Sequence, residues 1–398
     1  MKAVIAGGGI GGLTTALALI ARGWQVELVE QAPEFSEVGA GLQLSPNAMK
    51  VMRALGLEAA IGERAFRPEA LEMRLGESGR RVFSIPAGPA AERRWGAPYL
   101  HVHRRDLLDL LVAAVNARAP GSIRLSARLI GYRHMPRGVQ ALLEGGETLE
   151  GDLLVGADGI HSAVRGQMIG PDRPDFTGNL AWRAVVPIEA LGSAAPPPTA
   201  CVWAGRGRHA VTYRLRGGEL ANFVGVTENS RWHEESWTRQ GTREEALADF
   251  KGWVPEVVRL IEAAQSHYRW ALFDRKPLHR WSEGPVALIG DACHPTLPFL
   301  AQGAALAIED AWVLARECNR LEADIPAALL AYYRTRIARA SRMQAGARAN
   351  MKRFHRRFAP MRLATYGPMW LGGQAAPGFM RSRLDWIYGH DVTAASGR

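Results

Sequence analysis

Three glycines near the start of the chain, Gly7, Gly9 and Gly12, are spaced G-x-G-x-x-G between a short apolar run at residues 2–6 and a helical pattern reaching about residue 22. That spacing suits a pyrophosphate. One glycine permits a tight turn, one lets backbone approach the phosphates, and one lets the helix pack on the strand. The free N–H groups and partial positive charge of the helix start complete an anion site. A second apolar run, 25–30, ends in Glu30, where a carboxylate accepts hydrogen bonds from ribose hydroxyls. The same carboxylate repels a 2′-phosphate, so the bound dinucleotide is expected to be FAD or NAD rather than NADP.

Two further segments place a carboxylate beside a glycine at the end of an apolar run. Asp158-Gly159 follows residues 153–155, and Gly290-Asp291, with Cys293, His294 and Pro295 behind it, follows residues 286–289. Strand ends of this kind gather the ligand of a doubly wound sheet, and a carboxylate there suits a ribose or ribityl hydroxyl. Farther along, His209 and Tyr213 stand four apart in a strand-like segment, which puts both on one face. Histidine is a base near neutral pH, and tyrosine can hold a phenolic proton or bind a carboxylate. The plainer alternatives are a satisfied strand histidine and a core tyrosine. Arg183, beside Trp182, either pairs with a substrate carboxylate or lies on a solvent face. His294 reads as structural.

Gly7 to Gly12, Asp158-Gly159 and Gly290-Asp291, in this order and separation, resemble the single-component flavoprotein aromatic hydroxylases, and the resemblance covers nearly the whole chain. A plain NAD dehydrogenase would carry only the first motif. The resemblance implies that FAD is the resident cofactor and that Arg104 contacts it from a helix start. It also implies that Asp291 meets the ribityl or ribose region, that Pro298 lies beside the isoalloxazine ring, and that backbone at Gly303 and Ala304 faces the pyrimidine edge. The loop 39–44 resembles the segment beside the flavin, with Gln43 as its contributor. His209, Tyr213 and Gln302 resemble the substrate-facing residues of the branch that contains 3-hydroxybenzoate 6-hydroxylase, salicylate hydroxylase and 6-hydroxynicotinate 3-monooxygenase.

The reaction so implied takes electrons from NADH or NADPH, forms a flavin hydroperoxide with O2, and hydroxylates a small phenolic acid of the 3-hydroxybenzoate or salicylate type. The protein must then seat the phenol, help remove its proton and exclude water. The alternatives are a larger ring, such as a ubiquinone precursor or secondary metabolite, and a flavoprotein that hydroxylates nothing. Only one G-x-G-x-x-G occurs, as expected where the nicotinamide cofactor visits without a domain of its own.

These residues need scaffolds. Strand, glycine turn, helix and strand at the start predict an α/β, Rossmann-like FAD-binding domain, built from residues 1–75, 102–176 and 280–325. Short alternating segments separated by turns predict an inserted, mostly antiparallel sheet for the substrate, from 76–101 and 177–279. Residues 326–398 read as a C-terminal helical region. Helices are expected at about 12–21, 46–55, 106–118, 305–318 and 326–358. Strands are expected at 179–187, 200–204, 209–215 and 221–227 within the inserted part.

The 398 residues carry a net charge of +10, almost all of it from arginine, since only five of the 49 basic residues are lysine. The late basic run from Arg334 to Arg357 reads as a solvated helix face or a homodimer contact, with no nucleic-acid motif beside it. Three scattered cysteines exclude a disulfide framework and a metal-ligand pattern, and suit a reducing cytoplasm. No apolar run approaches the ~20 residues of a membrane span.

Overall fold

The computed structural model describes residues 1–35, 41–171, 174–229 and 240–394. Its first sheet has six strands in the order Ser282–Glu283, Val286–Leu288, Leu153–Gly156, Lys2–Ala6, Gln25–Val29 and Ile123–Arg124. All neighbours are parallel except the antiparallel edge formed by Ser282–Glu283. The central strands are apolar on both faces because helices cover both, and Val4, Ile5, Leu154, Val155 and Ala287 have no exposure. The covering helices include Ile10–Ile20, Arg104–Arg118 and Gly303–Arg320.

Two of the three fingerprint glycines are required by this fold itself. Gly7 has φ +104°, and a Cβ there would stand 2.4 Å from the carbonyl oxygen of Ala157. A Cβ on Gly12 would stand 1.9 Å from the oxygen of Gly7, so the helix could not close on the strand.

The second sheet has seven strands in the order Tyr268–Asp274, Asp175–Pro187, Leu220–Glu228, Arg208–Leu215, Ala200–Gly205, Ala70–Leu75 and Arg81–Pro86. It is antiparallel but for one parallel pair, Ala200–Gly205 with Ala70–Leu75. Period-2 alternation splits its side chains between two faces. Trp182, Trp203 and Phe223 pack on one face with Phe250, Trp253 and Leu260. Ala181, Ala204, Val226, Trp270 and Leu272 take the other face, with Leu297, Phe299 and Phe354.

The structure departs from the sequence expectations in three places. Ala70–Leu75, assigned to the dinucleotide-binding part by a boundary at residue 75, is hydrogen bonded into the seven-stranded sheet. Two helices, Arg243–Asp249 and Pro255–Ala263, lie within the stretch read as strands. Their start signals are plain in retrospect: a Thr242/Glu245 capping box and a proline in the first turn. The third departure concerns the late arginines on the 30-residue helix Ile325–Phe354. Arg336 is wholly buried between Glu309 and Asp310, Arg339 pairs with Glu309, and Arg348 pairs with Asp274. A solvated face is therefore the wrong reading for these three: acids on the Gly303–Arg320 helix meet Arg336 and Arg339, and Asp274 at the end of its strand meets Arg348. No helix among the described residues is long and apolar enough to cross a membrane.

Candidate active site

A deep cavity opens between the two sheets. Its first wall is the end of the six-stranded sheet, where Gly9, Ile10 and Gly11 start the first helix. Gly9 has extended backbone geometry before that helix, and a Cβ on it would meet nothing within 4 Å. Its bare backbone therefore borders open space, while Gly7 and Gly12 are consumed by the fold. That is the cradle a pyrophosphate needs.

Glu30 stands just past Gln25–Val29 and does not line the cavity; its carboxylate accepts N–H bonds from Gly8 at 2.7 Å and Ala32 at 2.9 Å. It ties the glycine turn to the neighbouring strand, and each oxygen keeps acceptor capacity for a hydroxyl. Asp158 differs from the expectation. Its Oδ2 accepts the N–H groups of Ala163 at 2.8 Å and Val164 at 3.2 Å, capping the helix Ala163–Ile169, and its side chain is absent from the cavity lining. Ala157, Gly159 and Ile160 line the cavity instead. The Asp158 carboxylate thus shapes the turn, and the turn's backbone is what a cofactor would meet.

The second wall follows Val286–Leu288. Gly290 takes φ +57° and turns the chain so that Asp291 opens onto the cavity. Enclosure by the protein raises the Asp291 carboxyl above its ordinary value, with His294, Arg104 and Arg165 pulling the other way. Arg104, the first residue of its helix, reaches the same cavity, as do Gln43, Pro298, Gly303 and Ala304. Gln43 Oε1 accepts a hydrogen bond of 2.7 Å from the Tyr99 hydroxyl. Of the loop 39–44, Gly39 and Ala40 lie outside the described residues.

Beneath this wall runs a buried polar lattice. Gln302 lines the cavity but is only 2% exposed: its Oε1 accepts from Asn47 at 3.1 Å and its Nε2 donates to the Ser45 hydroxyl at 2.9 Å. An amide engaged at both ends holds the turn before Gly303, and its oxygen keeps capacity for a second hydrogen bond. Asn47 also donates to Glu309 at 2.6 Å. Burial acts to raise Glu309, yet Arg336 and Arg339 bring it down to about 2. Asp310 accepts from Arg336 and from His294, and it stays below its ordinary value despite burial. Burial would lower His294, but the adjacent Asp310 outweighs it and holds the imidazole well above its usual range. His294 is structural, as its sequence context suggested. Glu309-Asp310 was the missed signal: two adjacent acids in an otherwise apolar helix demand buried cations.

The third wall is the seven-stranded sheet, and here side chains do the work. Arg183, Val211, Tyr213, Val224, Trp270 and Leu272 face the cavity. The Arg183 guanidinium lies 4.6 Å above the Trp270 ring. Burial raises the Tyr213 phenol well above its normal value, with Arg183 opposing, so it is a neutral donor and acceptor. A Cβ on Gly41 would meet the Tyr213 hydroxyl at 2.8 Å, so this glycine makes room for the ring.

His209 does not line the cavity. Its ring, 2% exposed, packs on Phe299 and Phe354, and its Nδ1 lies 2.7 Å from His355 Nε2. It stands next along the sheet face after Val211, pushed far below the usual histidine value first by burial and then by His355. The i, i+4 spacing does put His209 and Tyr213 on one face, but about 13 Å apart along the strand. The bulk of Phe299 covers the far end. Trp270 and Val224 had no motif to announce them, since a sheet wall is assembled from separate strands.

Comparison with known proteins agrees with this geometry. Residues 1–347 match the FAD binding domain family. The chain is 36% identical to 3-amino-4-hydroxybenzoate 2-monooxygenase PtnB3 of Streptomyces platensis, over 100% of this chain and 98% of that one. It is 36% identical to 3-hydroxybenzoate 6-hydroxylase of Polaromonas naphthalenivorans, over 98% of this chain and 96% of that one. Klebsiella pneumoniae HpxO, solved in complex with FAD and uric acid, superposes with a TM-score of 0.86 at 28% identity, covering 97% of each chain. The chain belongs to the FAD-binding flavoprotein aromatic hydroxylases and is an FAD-dependent aromatic monooxygenase.

Proposed function

We propose that this family member uses NADH or NADPH and O2 to hydroxylate a small aromatic acid carrying a phenolic hydroxyl. The observation that carries the reading is that Arg183 and Tyr213 both line the sheet wall of the cavity that Asp291, Pro298 and Gly303 face from the other side. A cation and a neutral phenol on one cavity wall suit a carboxylate and a phenolic hydroxyl on one ring. The relatives named for 3-hydroxybenzoate and 3-amino-4-hydroxybenzoate support the same substrate class.

Gly9 and the first helix would hold the FAD pyrophosphate, Glu30 the adenosine ribose, and Arg104 and Asp291 the middle of the molecule. The backbone at Gly303 and Ala304 would meet the flavin ring, where a helix start favours negative charge. Bound there, FAD supplies the two-electron and oxygen chemistry. The chain's own part is positioning. Arg183, steadied by the Trp270 face, pairs with the carboxylate, and an arginine fork fixes orientation as well as charge. Tyr213 holds the ring's polar edge by hydrogen bond. Val211, Val224, Leu272 and Leu297 keep water from the reacting carbon.

The test is a panel of hydroxybenzoates and hydroxynicotinate, offered to the FAD-loaded protein with NADH or NADPH, with the products identified. Product formation coupled to nicotinamide oxidation with a monohydroxybenzoate is the expected result. Turnover only with larger, uncharged phenols would replace the reading with the larger-ring alternative.

A further inference from the structure

Residues 385–392 run across the outside of the molecule, yet the protein grips them at every step. Asp385 accepts from Arg94 at 2.8 Å and from the Trp95 indole at 3.0 Å. Arg339 donates to the carbonyls of Trp386 at 2.8 Å and Ile387 at 3.0 Å. Lys50 donates to those of Gly389 at 2.9 Å and His390 at 3.0 Å, and Arg316 to that of Val392 at 3.3 Å. Cations satisfy the carbonyls that the short helix Asp385–Tyr388 leaves free at its end. The result is a strap whose one inward phenol is Tyr388, buried edge-on against Trp95 and Tyr99.

From Tyr388 a line of polar atoms leads to the cavity. The Tyr388 and Tyr99 hydroxyls share a hydrogen bond, and the Tyr99 hydroxyl donates to Gln43 Oε1 at 2.7 Å. Burial raises both phenols, Tyr388 to about 12, so each keeps its proton. Tyr99 has one proton and spends it on Gln43, so it accepts from Tyr388. The Gln43 amide oxygen is thereby occupied, and its Nε2, with no protein acceptor among the described residues, is left for the cavity that Gln43 lines. Gln43 lies on the strand Gly41–Leu44, opposite His101 of Leu100–His103 and beside the helix Gly303–Arg320.

We propose that Tyr388 and Tyr99 are positioning residues that hold the Gln43 amide with its nitrogen toward the cavity, as a fixed hydrogen-bond donor to the bound ligand. The two ends of an amide are nearly the same size and opposite in hydrogen bonding. Unheld, Gln43 could turn its oxygen to the ligand, and an oxygen repels the carbonyl and carboxylate acceptors that a flavin and an aromatic acid present. The acceptor chemistry is common to both ligands, and the experiment separates them. Neither tyrosine lines the cavity, so each acts only through Gln43.

Tyr99→Phe and Tyr388→Phe remove a hydroxyl and keep the ring. FAD affinity is read from flavin fluorescence. Affinity for 3-hydroxybenzoate is read from the visible spectrum of the FAD-loaded protein, without NADH or NADPH. Tyr99→Phe is expected to weaken one of the two about three- to tenfold, the worth of a neutral hydrogen bond, and Tyr388→Phe the same one about twofold. Weaker FAD retention puts the acceptor on the flavin. Weaker 3-hydroxybenzoate binding with FAD retention unchanged puts it on the aromatic acid. In both cases Tyr99→Phe should add less than about twofold to Gln43→Ala, because the hydroxyl works through that amide. Effects of Tyr99→Phe and Gln43→Ala that multiply in the double variant would overturn the proposal, as would Tyr99→Phe protein that holds both ligands as tightly as the unaltered chain. Failure of the unaltered protein to bind 3-hydroxybenzoate would count against the functional reading alone, since the FAD measurement still decides the role of the two tyrosines.

Discussion

The two walls of the cavity bury polar groups in opposite states. The wall under the proposed flavin site buries charge: Glu309, Asp310 and Arg336 are wholly buried, and Asp310 pushes the His294 imidazole beside them well above its usual range. The sheet wall buries neutral groups instead: His209, His355 and Tyr213 are all driven toward their uncharged forms. A lattice of paired charges has a single low-energy arrangement, which suits a wall that must hold a cofactor still. Neutral imidazoles and phenols exchange protons at little cost, which suits a wall that must respond to a titrating substrate. The difference is one of task, written in the choice of partner for each buried histidine: a carboxylate for His294, a second imidazole for His209.

The sharpest way to break the comparison is Arg336→Met. It leaves Glu309 and Asp310 buried with too little positive charge, and unfolding stability should fall by about 3–5 kcal/mol. Denaturant melts of the FAD-loaded protein would measure it, and a loss below 1 kcal/mol would mean the lattice is not held by charge. Next comes Arg183→Gln on the opposite wall. Loss of a charged partner for the substrate carboxylate should raise KM by about ten- to a hundredfold, with little change in melting temperature. Steady-state NADH or NADPH oxidation with a hydroxybenzoate checks it. An unchanged KM would move the carboxylate site elsewhere.

The smallest expected effect is a pair of opposite pH slopes. The folded pKa of His294 lies above its unfolded value, so its contribution is complete below about pH 6.5 and fades as pH rises toward the folded pKa. The folded pKa of His355, about 4, lies below its unfolded value, so its contribution is present above about pH 6.5 and is lost as pH falls toward 4. Melting temperature followed against pH should therefore lose part of its alkaline decline in His294→Asn and part of its acid decline in His355→Asn. Matching slopes in the two variants would erase the distinction between the walls.

The cofactor wall was the more legible from sequence. Glycine positions, helix starts and strand ends are local, so spacing and resemblance brought Gly9, Asp291, Gly303 and Ala304 to the cavity wall and Gly7 and Gly12 to the turn behind it. The same locality left open which way Asp158 and Gln302 direct their side chains. Spacing shows that a carboxylate or amide sits at a turn, but not whether its hydrogen bonds are spent within the protein. The sheet wall is non-local. Arg183, Val211, Val224 and Trp270 come from four strands, and only their register brings them together. Tyr213 was legible because one strand carries it with His209, though the fold buries His209 beyond Val211 and outside the cavity lining. His355, 146 residues from His209, could not be.

The order of the six-stranded sheet also bears on how the protein is made. Lys2–Ala6 lies inside the sheet, one strand away from Val286–Leu288 across Leu153–Gly156, and the helix that packs across the first helix begins only at Gly303. At a synthesis rate of roughly 5–20 residues per second, the glycine turn leaves the ribosome about 15 to 60 seconds before those partners exist. During that interval its apolar strand is exposed and its cofactor wall is unbuilt. The complete cavity, and with it the full set of contacts that FAD would make, can therefore form only once residues 303–320 have been synthesised.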